Sequence, residues 1–303
     1  MPNPYNHADD SRILLIANPH SGTLRRQPEL MNRAVSALRS WRYTPQIFAL
    51  QAGSPLRQQV ALALEQGYRL FAVLGGDGTL SAVAAELAGT DGKLILLPAG
   101  NSNNVARCMG VPRDIDGAAA LPSSGRLASV DVGQVHCRGK GATFLELCMV
   151  GVIAKLSELG DGIRHGDLSR TGGFLRTLAA AQPARYTLSL DGGPPITHLA
   201  HLAVVTNMPA TGLHFQLAPY GCQSDGMLDV QTYAGLGKVR LMRYVAGGIY
   251  PGKPGDERVG RHQARHIHIE TDPPQPVSVD GDIIGTGPCD IEVWPQALNM
   301  FVP

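Results

Sequence analysis

The sequence predicts an α/β N-terminal domain, a parallel sheet with helices on both faces, followed by a mostly antiparallel β-sandwich C-terminal domain. Short apolar runs alternate with stretches of helical period through the first part of the chain, the pattern of a parallel sheet with crossover helices. Those runs end in loops rich in glycine, asparagine and serine. Past residue 125 the alternation stops, and short strand patterns separated by Gly, Pro and Asp turns take over.

The elements follow in order. RILLIA over 12–17 reads as a first strand and Asn18-Pro19-His20-Ser21-Gly22 as its loop, after which Leu30, Met31, Ala34, Val35 and Leu38 mark one face of a helix. A second strand is expected over 46–50, and a helix opening near Ser54-Pro55 continues through Val60, Ala61 and Leu64. Residues 70–74 form an uninterrupted apolar run suited to a strand buried on both faces. That run stops at Gly75, Gly76, Asp77 and Gly78. Thr79 then stands where an N-cap belongs, with Leu80, Val83, Ala84 and Leu87 at helical spacing behind it. A fourth strand over 93–97 enters Pro98-Ala99-Gly100-Asn101-Ser102-Asn103-Asn104 and a short helix.

Leu121-Pro122-Ser123-Ser124-Gly125 reads as a linker, giving domains over 11–125 and 126–303. A helical insertion is expected near 152–182, with a polar loop over 160–173, and a helix over 239–245. The remainder (LASVDVGQV, TFLELCMV, YTLSL, LAHLAVVT, MLDVQTY, HIHIE, VSVDGDII, CDIEVW) reads as strands, and the last residues have the option of packing back on the first domain.

Composition narrows the function classes. A net charge of +1 supplies no field to recruit nucleic acid, and 5% aromatic residues supply few stacking platforms. The five cysteines form no CxxC pair, so they read as reduced thiols of a cytoplasmic protein. MPNPYNHADDSR lacks a signal-peptide core and no apolar run reaches bilayer length. Membrane contact, if made, is therefore expected to be peripheral, at the inner face.

Strand, glycine turn and helix together aim backbone N–H groups and a positive helix end at an anion. Three such loops follow strand carboxyl ends, where open α/β sheets bind ligands. Asp77 is unusual in a phosphate cradle: it needs a divalent cation or a transferable proton beside it, which points to phosphoryl chemistry. Each loop alone is also ordinary turn chemistry. Asn18, Ser21 and Gly22 offer hydrogen bonds and close approach, as do the Asn side chains over 100–104, with Arg107 one turn beyond. Asp225 and Asp229 bracket a strand-entry turn that is either plain or a cation site. Asp280-Gly281-Asp282 suits a tight hairpin tip, and an acid there is a candidate general base. The basic run Arg258, Arg261, His262, Arg265, His266 and His268 reads as a solvated strand edge, with an anionic lipid surface as the minority alternative. His20 and Ser21 lack the elbow of a hydrolase.

NPHSG, GGDGT, GNSNN, DGMLD and DGD stand in the order and approximate spacing of the diacylglycerol kinase catalytic-domain family, which includes bacterial lipid kinases and sphingosine kinases. The chain resembles that family from Ile13 to Val302. GGDGT is shared with NAD kinases. The resemblance implies an ATP-dependent, Mg²⁺-assisted kinase that phosphorylates a hydroxyl of diacylglycerol or a related lipid alcohol. Nucleotide contacts carry over to Asn18, Ser21, Gly22, Gly75, Gly76, Gly78, Thr79, Gly100, Asn101, Ser102, Asn103 and Asn104. Mg²⁺ carries over to Asp225 and Asp229, and the base to Asp282, while Asp77 is assigned to metal binding or acceptor orientation. Two departures stand out: Gly-Asn-Ser-Asn-Asn replaces Gly-Thr-x-Asn-Asp, and Asp282 replaces Glu. The expected partner is a lipid substrate at a membrane surface, with the 150–180 segment as acyl contact and a homodimer left open. The competing readings are a soluble-substrate (NAD-type) kinase and a catalytically silent nucleotide or lipid sensor.

Overall fold

The computed structural model describes residues 11–51, 53–151, 182–209, 223–234 and 259–303. The expected helices over 152–182 and 239–245, the acyl-contact segment, Arg258 and Cys222 lie outside the described residues. The chain divides into two units: Met1–Val130 with Gln296–Pro303, and Asp131–Pro295.

Unit 1 is built on a parallel sheet. Strands β1 (Arg12–Ala17), β2 (Thr44–Ala49), β3 (Leu70–Gly75) and β4 (Lys93–Pro98) pair in the order β2-β1-β3-β4. The end of β15 (Cys289–Val302) adds to β4 in parallel, Asn299 opposite Lys93. The all-apolar β3 is buried along its whole length, as a central strand covered on both faces must be. Between the strands run α1 (Gly22–Arg26), α2 (Glu29–Ser40), α3 (Leu56–Glu65), α4 (Asp77–Leu87), α5 (Asn104–Cys108) and α6 (Ile115–Ser124). Ala34 and Leu38 of α2 and Leu80, Val83 and Leu87 of α4 are buried as their helical spacing predicts, while α3 buries Val60 and Ala63 and leaves Ala61 exposed.

Two local expectations change. Thr79 is not the cap of α4: the helix starts at Asp77 with Gly76 as N-cap, because extended glycine backbone turns into the helix earlier. Thr79 instead packs its side chain on Gly75, where a Cβ would lie 2.7 Å from that of Thr79. Residues 121–125 are not a linker. They end α6, whose N-cap Asp114 accepts a 2.7 Å bond from the Gly117 N–H, and Leu121 and Pro122 are buried along with Ile115, Ala118 and Ala119. The cap and an apolar helical stripe outweigh a Pro-Ser-Ser composition that looks loop-like.

Unit 2 is antiparallel. Strands β7 (Leu147–Gly151), β8 (Ala184–Leu190), β9 (Ile196–Thr206), β10 (Leu228–Ala234), β11 (Val259–Ala264), β12 (His266–Asp272), β13 (Pro276–Val279) and β14 (Asp282–Thr286) pair in the order β14-β13-β7-β9-β8-β12-β15, with β10 between β9 and β11. The hairpin of β5 (Arg126–Cys137) and β6 (Lys140–Phe144) completes it. Val135, Cys137 and Phe144 of the hairpin share one core with Cys148, Tyr186, Val205, Val230, Ile269, Val277 and Ile291, which is sheet packed against sheet. TFLELCMV, read as a single strand, breaks at Leu145-Glu146 into β6 and β7.

Candidate functional site

The order β2-β1-β3-β4 reverses between β1 and β3, the switch point at which open α/β sheets bind ligands beyond the strand carboxyl ends. The loops after β1, β3 and β4 meet there. After β1, Asn18 Oδ1 accepts from the His20 N–H at 3.0 Å, and Ser21 caps α1 by accepting from the Leu24 N–H at 3.4 Å. The side chains of NPHSG thus fix their own turn. Gly22 opens α1 and is exposed. At 3.5 Å, both Thr23 Oγ1 and Arg26 Nη2 reach Asn101 Oδ1 in the loop after β4.

The loops after β3 and β4 touch backbone to backbone. A Cβ added at Gly76 would lie 2.9 Å from the Gly100 Cα, and one added at Gly100 would overlap the Gly76 Cα. Any side chain at either position would push the loops apart. Asn103 stands at φ 47° in the left-handed region, which Asn tolerates better than most residues. It closes its turn on Gly100, accepting from the Gly100 N–H at 2.9 Å and donating to the Gly100 carbonyl at 2.8 Å. Asp77 Oδ1 accepts from the Val105 N–H at 3.3 Å, linking the two loops again. Asn104 is buried and accepts from Arg107 at 3.4 Å, while Ser102 is half-buried beside it.

At the centre lies the start of α4. Gly76 offers no side-chain cap, and a Cβ at Gly78 would meet nothing within 4 Å. The space beside Gly78 in the first turn is therefore open, and the positive end of the helix dipole lies next to it. An anion is the natural ligand.

Asp282 begins β14 and is exposed. It follows a two-residue turn in which Asp280 (φ 46°) and Gly281 (φ 103°) are both left-handed, Val279 pairing with Asp282. That is the hairpin which Asp-Gly predicts. Asp280 was read only as part of this turn, yet it has the densest bonding of the segment. Its carboxylate accepts from the N–H groups of Leu145, Glu146 and Leu147, each at 3.0 Å, while its own N–H donates to the Leu147 carbonyl at 3.0 Å.

Asp225 and Asp229 fall on the turn into β10. Asp225 accepts from the Met227 N–H at 3.0 Å, and Asp229 from Gln263 at 3.1 Å. Burial raises the Asp229 pKa, with a smaller push from the Asp225 charge and an opposing pull from the Gln263 bond. Carboxylate oxygens are the ligand type that a hard cation takes. Among the described residues no group of three or more His, Cys, Asp or Glu side chains is placed to hold a metal. Sequence reasoning missed Asp131, which is fully buried and accepts from the Gly226 N–H at 2.7 Å, fixing this turn. Its signal was a charge inside the apolar alternation of β5.

Comparison with known proteins follows the same division. Residues 12–135 match the family model described as diacylglycerol kinase catalytic domain, and residues 148–302 match that of the YegS C-terminal NAD kinase beta sandwich-like domain. A Synechocystis protein is 28% identical over 248 residues, covering 78% of this chain but only 56% of its own length. A protein named diacylglycerol kinase from Mycobacterium tuberculosis is 29% identical over 252 residues, covering 82% of this chain and 81% of its own. Among solved structures, a putative diacylglycerol kinase from Bacillus anthracis superposes with a TM-score of 0.74 at 23% identity over 97% of this chain and 98% of its own. An NAD kinase from Archaeoglobus fulgidus in complex with ATP gives 0.53 at 12% identity, over 96% and 93%. These last two likenesses establish the fold.

Proposed function

The chain belongs to the diacylglycerol kinase catalytic-domain family, and from that premise we propose that it transfers the γ-phosphoryl group of ATP to a hydroxyl of diacylglycerol or a related lipid alcohol at a membrane surface. The observation that carries this reading is the meeting of three loops around the open start of α4, with glycine backbone against glycine backbone.

Phosphoryl transfer asks chiefly for positioning and charge stabilisation. The N–H groups of Gly78 and Thr79 take phosphate oxygens, and Gly75, Gly76 and Gly100 let the backbone approach them. Asn18, Ser21, Gly22, Asn101, Ser102, Asn103 and Asn104 shape the surrounding nucleotide pocket. Mg²⁺, when bound, supplies charge neutralisation on the phosphates. Asp77 holds that charge close to the helix start, and Asp225 and Asp229 form a second oxygen site of the kind that steadies the turn into β10. Asp282 accepts the proton of the acceptor hydroxyl. Its exposure leaves the carboxylate accessible to such a partner, and Asp280 positions it by gripping three successive N–H groups.

The test is transfer from radiolabelled ATP to total lipid extract in mixed micelles with Mg²⁺. Label is expected in a lipid phosphate, and Asp282→Asn should lower turnover by roughly 10²–10⁴-fold, the range for loss of a general base. Full activity in Asp282→Asn on the same acceptor would remove the base assignment. The fold likeness to an NAD kinase supports a soluble acceptor as the second reading, and label in added NAD with none in lipid would select it.

A further inference from the structure

One side-chain amide in unit 2 stands between the two turns that carry the site's carboxylates. Asn207 directly follows β9 and is buried. Its Nδ2 donates to the Asp131 carbonyl at 2.8 Å and to the Leu145 carbonyl at 3.1 Å. Its backbone N–H donates to the Glu146 carbonyl at 3.0 Å. Two carbonyls facing the amide nitrogen settle which way the amide points. Its Oδ1 is buried without a donor, so the contacts to carbonyls are what an amide at this position provides.

Each segment that Asn207 reaches holds a turn in place. The Asp131 carboxylate accepts from the Gly226 N–H at 2.7 Å, and the Asp131 N–H donates to the Gln223 carbonyl at 2.8 Å. That is the turn of Asp225. The N–H groups of Leu145, Glu146 and Leu147 all go to Asp280, two residues before Asp282. Register adds a second link: Thr206, the neighbour of Asn207, stands opposite Leu147 on β7 and opposite Asp229 on β10. The end of β9 therefore lies between the Asp225–Asp229 turn and the bend beneath the Asp282 hairpin. Asp131, Leu145 and Asn207 are all buried, so bulk water does not replace a lost donor there.

We propose that Asn207 is a positioning residue: its amide joins the Asp225 turn and the Asp282 hairpin into one hydrogen-bonded unit, and phosphoryl transfer depends on it through the placement of Asp282. The inference rests on the reaction and the base proposed above. Asn207 acts through Asp280 and the 145–147 bend, because its donors are spent on backbone carbonyls away from solvent. Serine at this position keeps one donor, and aspartate keeps the shape while turning an acceptor toward the same carbonyls.

The experiment compares Asn207→Ser and Asn207→Asp in the parent and in the Asp282→Asn background, with transfer from radiolabelled ATP to lipid as one readout. In the parent background kcat should fall by roughly 10–10²-fold, the scale of a catalytic group misplaced by about 1 Å. KM for MgATP should change by less than about twofold, since the phosphate cradle belongs to unit 1. In the Asp282→Asn background the same substitutions should cost less than about twofold, because their effect runs through the base. The second readout is amide hydrogen exchange without substrate. In Asn207→Ser, exchange should quicken at least about tenfold at Leu145–Leu147 and at Gly226 together, while Ile267 and Ile269 on β12 keep their parent rates. A kcat loss of equal size in both backgrounds would overturn the positioning role. Unchanged exchange at either turn in a folded Asn207→Ser or Asn207→Asp protein would overturn the link. Full transfer in Asp282→Asn, or label in no lipid, would instead count against the proposed base or reaction, and exchange would still decide whether Asn207 joins the two turns.

Discussion

In unit 1 the loops after β3 and β4 meet backbone on backbone at Gly76 and Gly100, whereas in unit 2 the hairpin carrying Asp282 adds to its β13–β7 ladder one carboxylate that takes three N–H groups. The glycine contact is spread across several small terms: the Asn103 bonds to Gly100, the Asp77 bond to the Val105 N–H, and the distant reach of Thr23 and Arg26 to Asn101. Asp280 instead gathers three N–H groups by itself. A phosphate cradle built from many weak constraints tolerates the loss of one. A turn that draws three of its bonds from one carboxylate tolerates it less.

That contrast orders the expected effects. Asp280→Ala should be the most damaging, because it leaves three N–H groups without their charged acceptor. A loss of about 2–4 kcal/mol follows from bonds to charged groups near 1.5–3 kcal/mol each, discounted for partial exposure and non-additivity. Chemical denaturation measures it, and the lipid-transfer assay should show kcat falling more than KM rises. A loss below that of Asn103→Ala would reverse the comparison.

Asn103→Ala comes next, at about 1–2 kcal/mol, from two neutral hydrogen bonds and a left-handed backbone that alanine adopts less readily. Asn103→Gly should recover the backbone share alone, so the difference between the two variants isolates strain from bonding.

Asp229→Asn should be the smallest effect and of opposite sign. A carboxyl whose folded pKa is raised contributes most below its ordinary range and loses that contribution as pH rises through the folded value. The variant should therefore melt slightly higher than the parent at pH 7 without Mg²⁺, and no higher at pH 3. Added Mg²⁺ should stabilise the parent and not the variant. A parent that melts higher at pH 7 without Mg²⁺ would show that burial is not the governing cause at Asp229.

The order of strands and helices in unit 1 was legible because its pattern is local: β1 matches RILLIA, and the apolar spacing of α2 and α4 matches their buried stripes, whereas in α3 Ala63 rather than Ala61 turns inward. Boundaries failed where composition pointed one way and packing another. Pro122-Ser123-Ser124 looks like a linker, but Asp114 and four buried apolar side chains hold it in helix. Thr79 looks like a cap, but Gly76 turns the chain first. For the site, glycines were legible as places for close approach, though not that Gly76 would meet Gly100, a contact between residues on separate loops. Asp280 was hidden inside a tight-turn dipeptide, since its three donors come from a bend far away in sequence.

The claim on which the rest depends is that the close glycine contact holds a nucleotide site open at the start of α4. Calorimetric titration of MgATP into the parent and into Gly100→Ala tests it most directly. A Cβ at position 100 would press on the backbone of Gly76 and on Asn103 Oδ1 at 2.7 Å, and overpacking of that kind costs about 1–3 kcal/mol. The parent should bind one equivalent, and Gly100→Ala, still folded by circular dichroism, should bind at least about tenfold more weakly, as 1.4 kcal/mol per decade requires. Equal affinity in the two proteins would contradict the account.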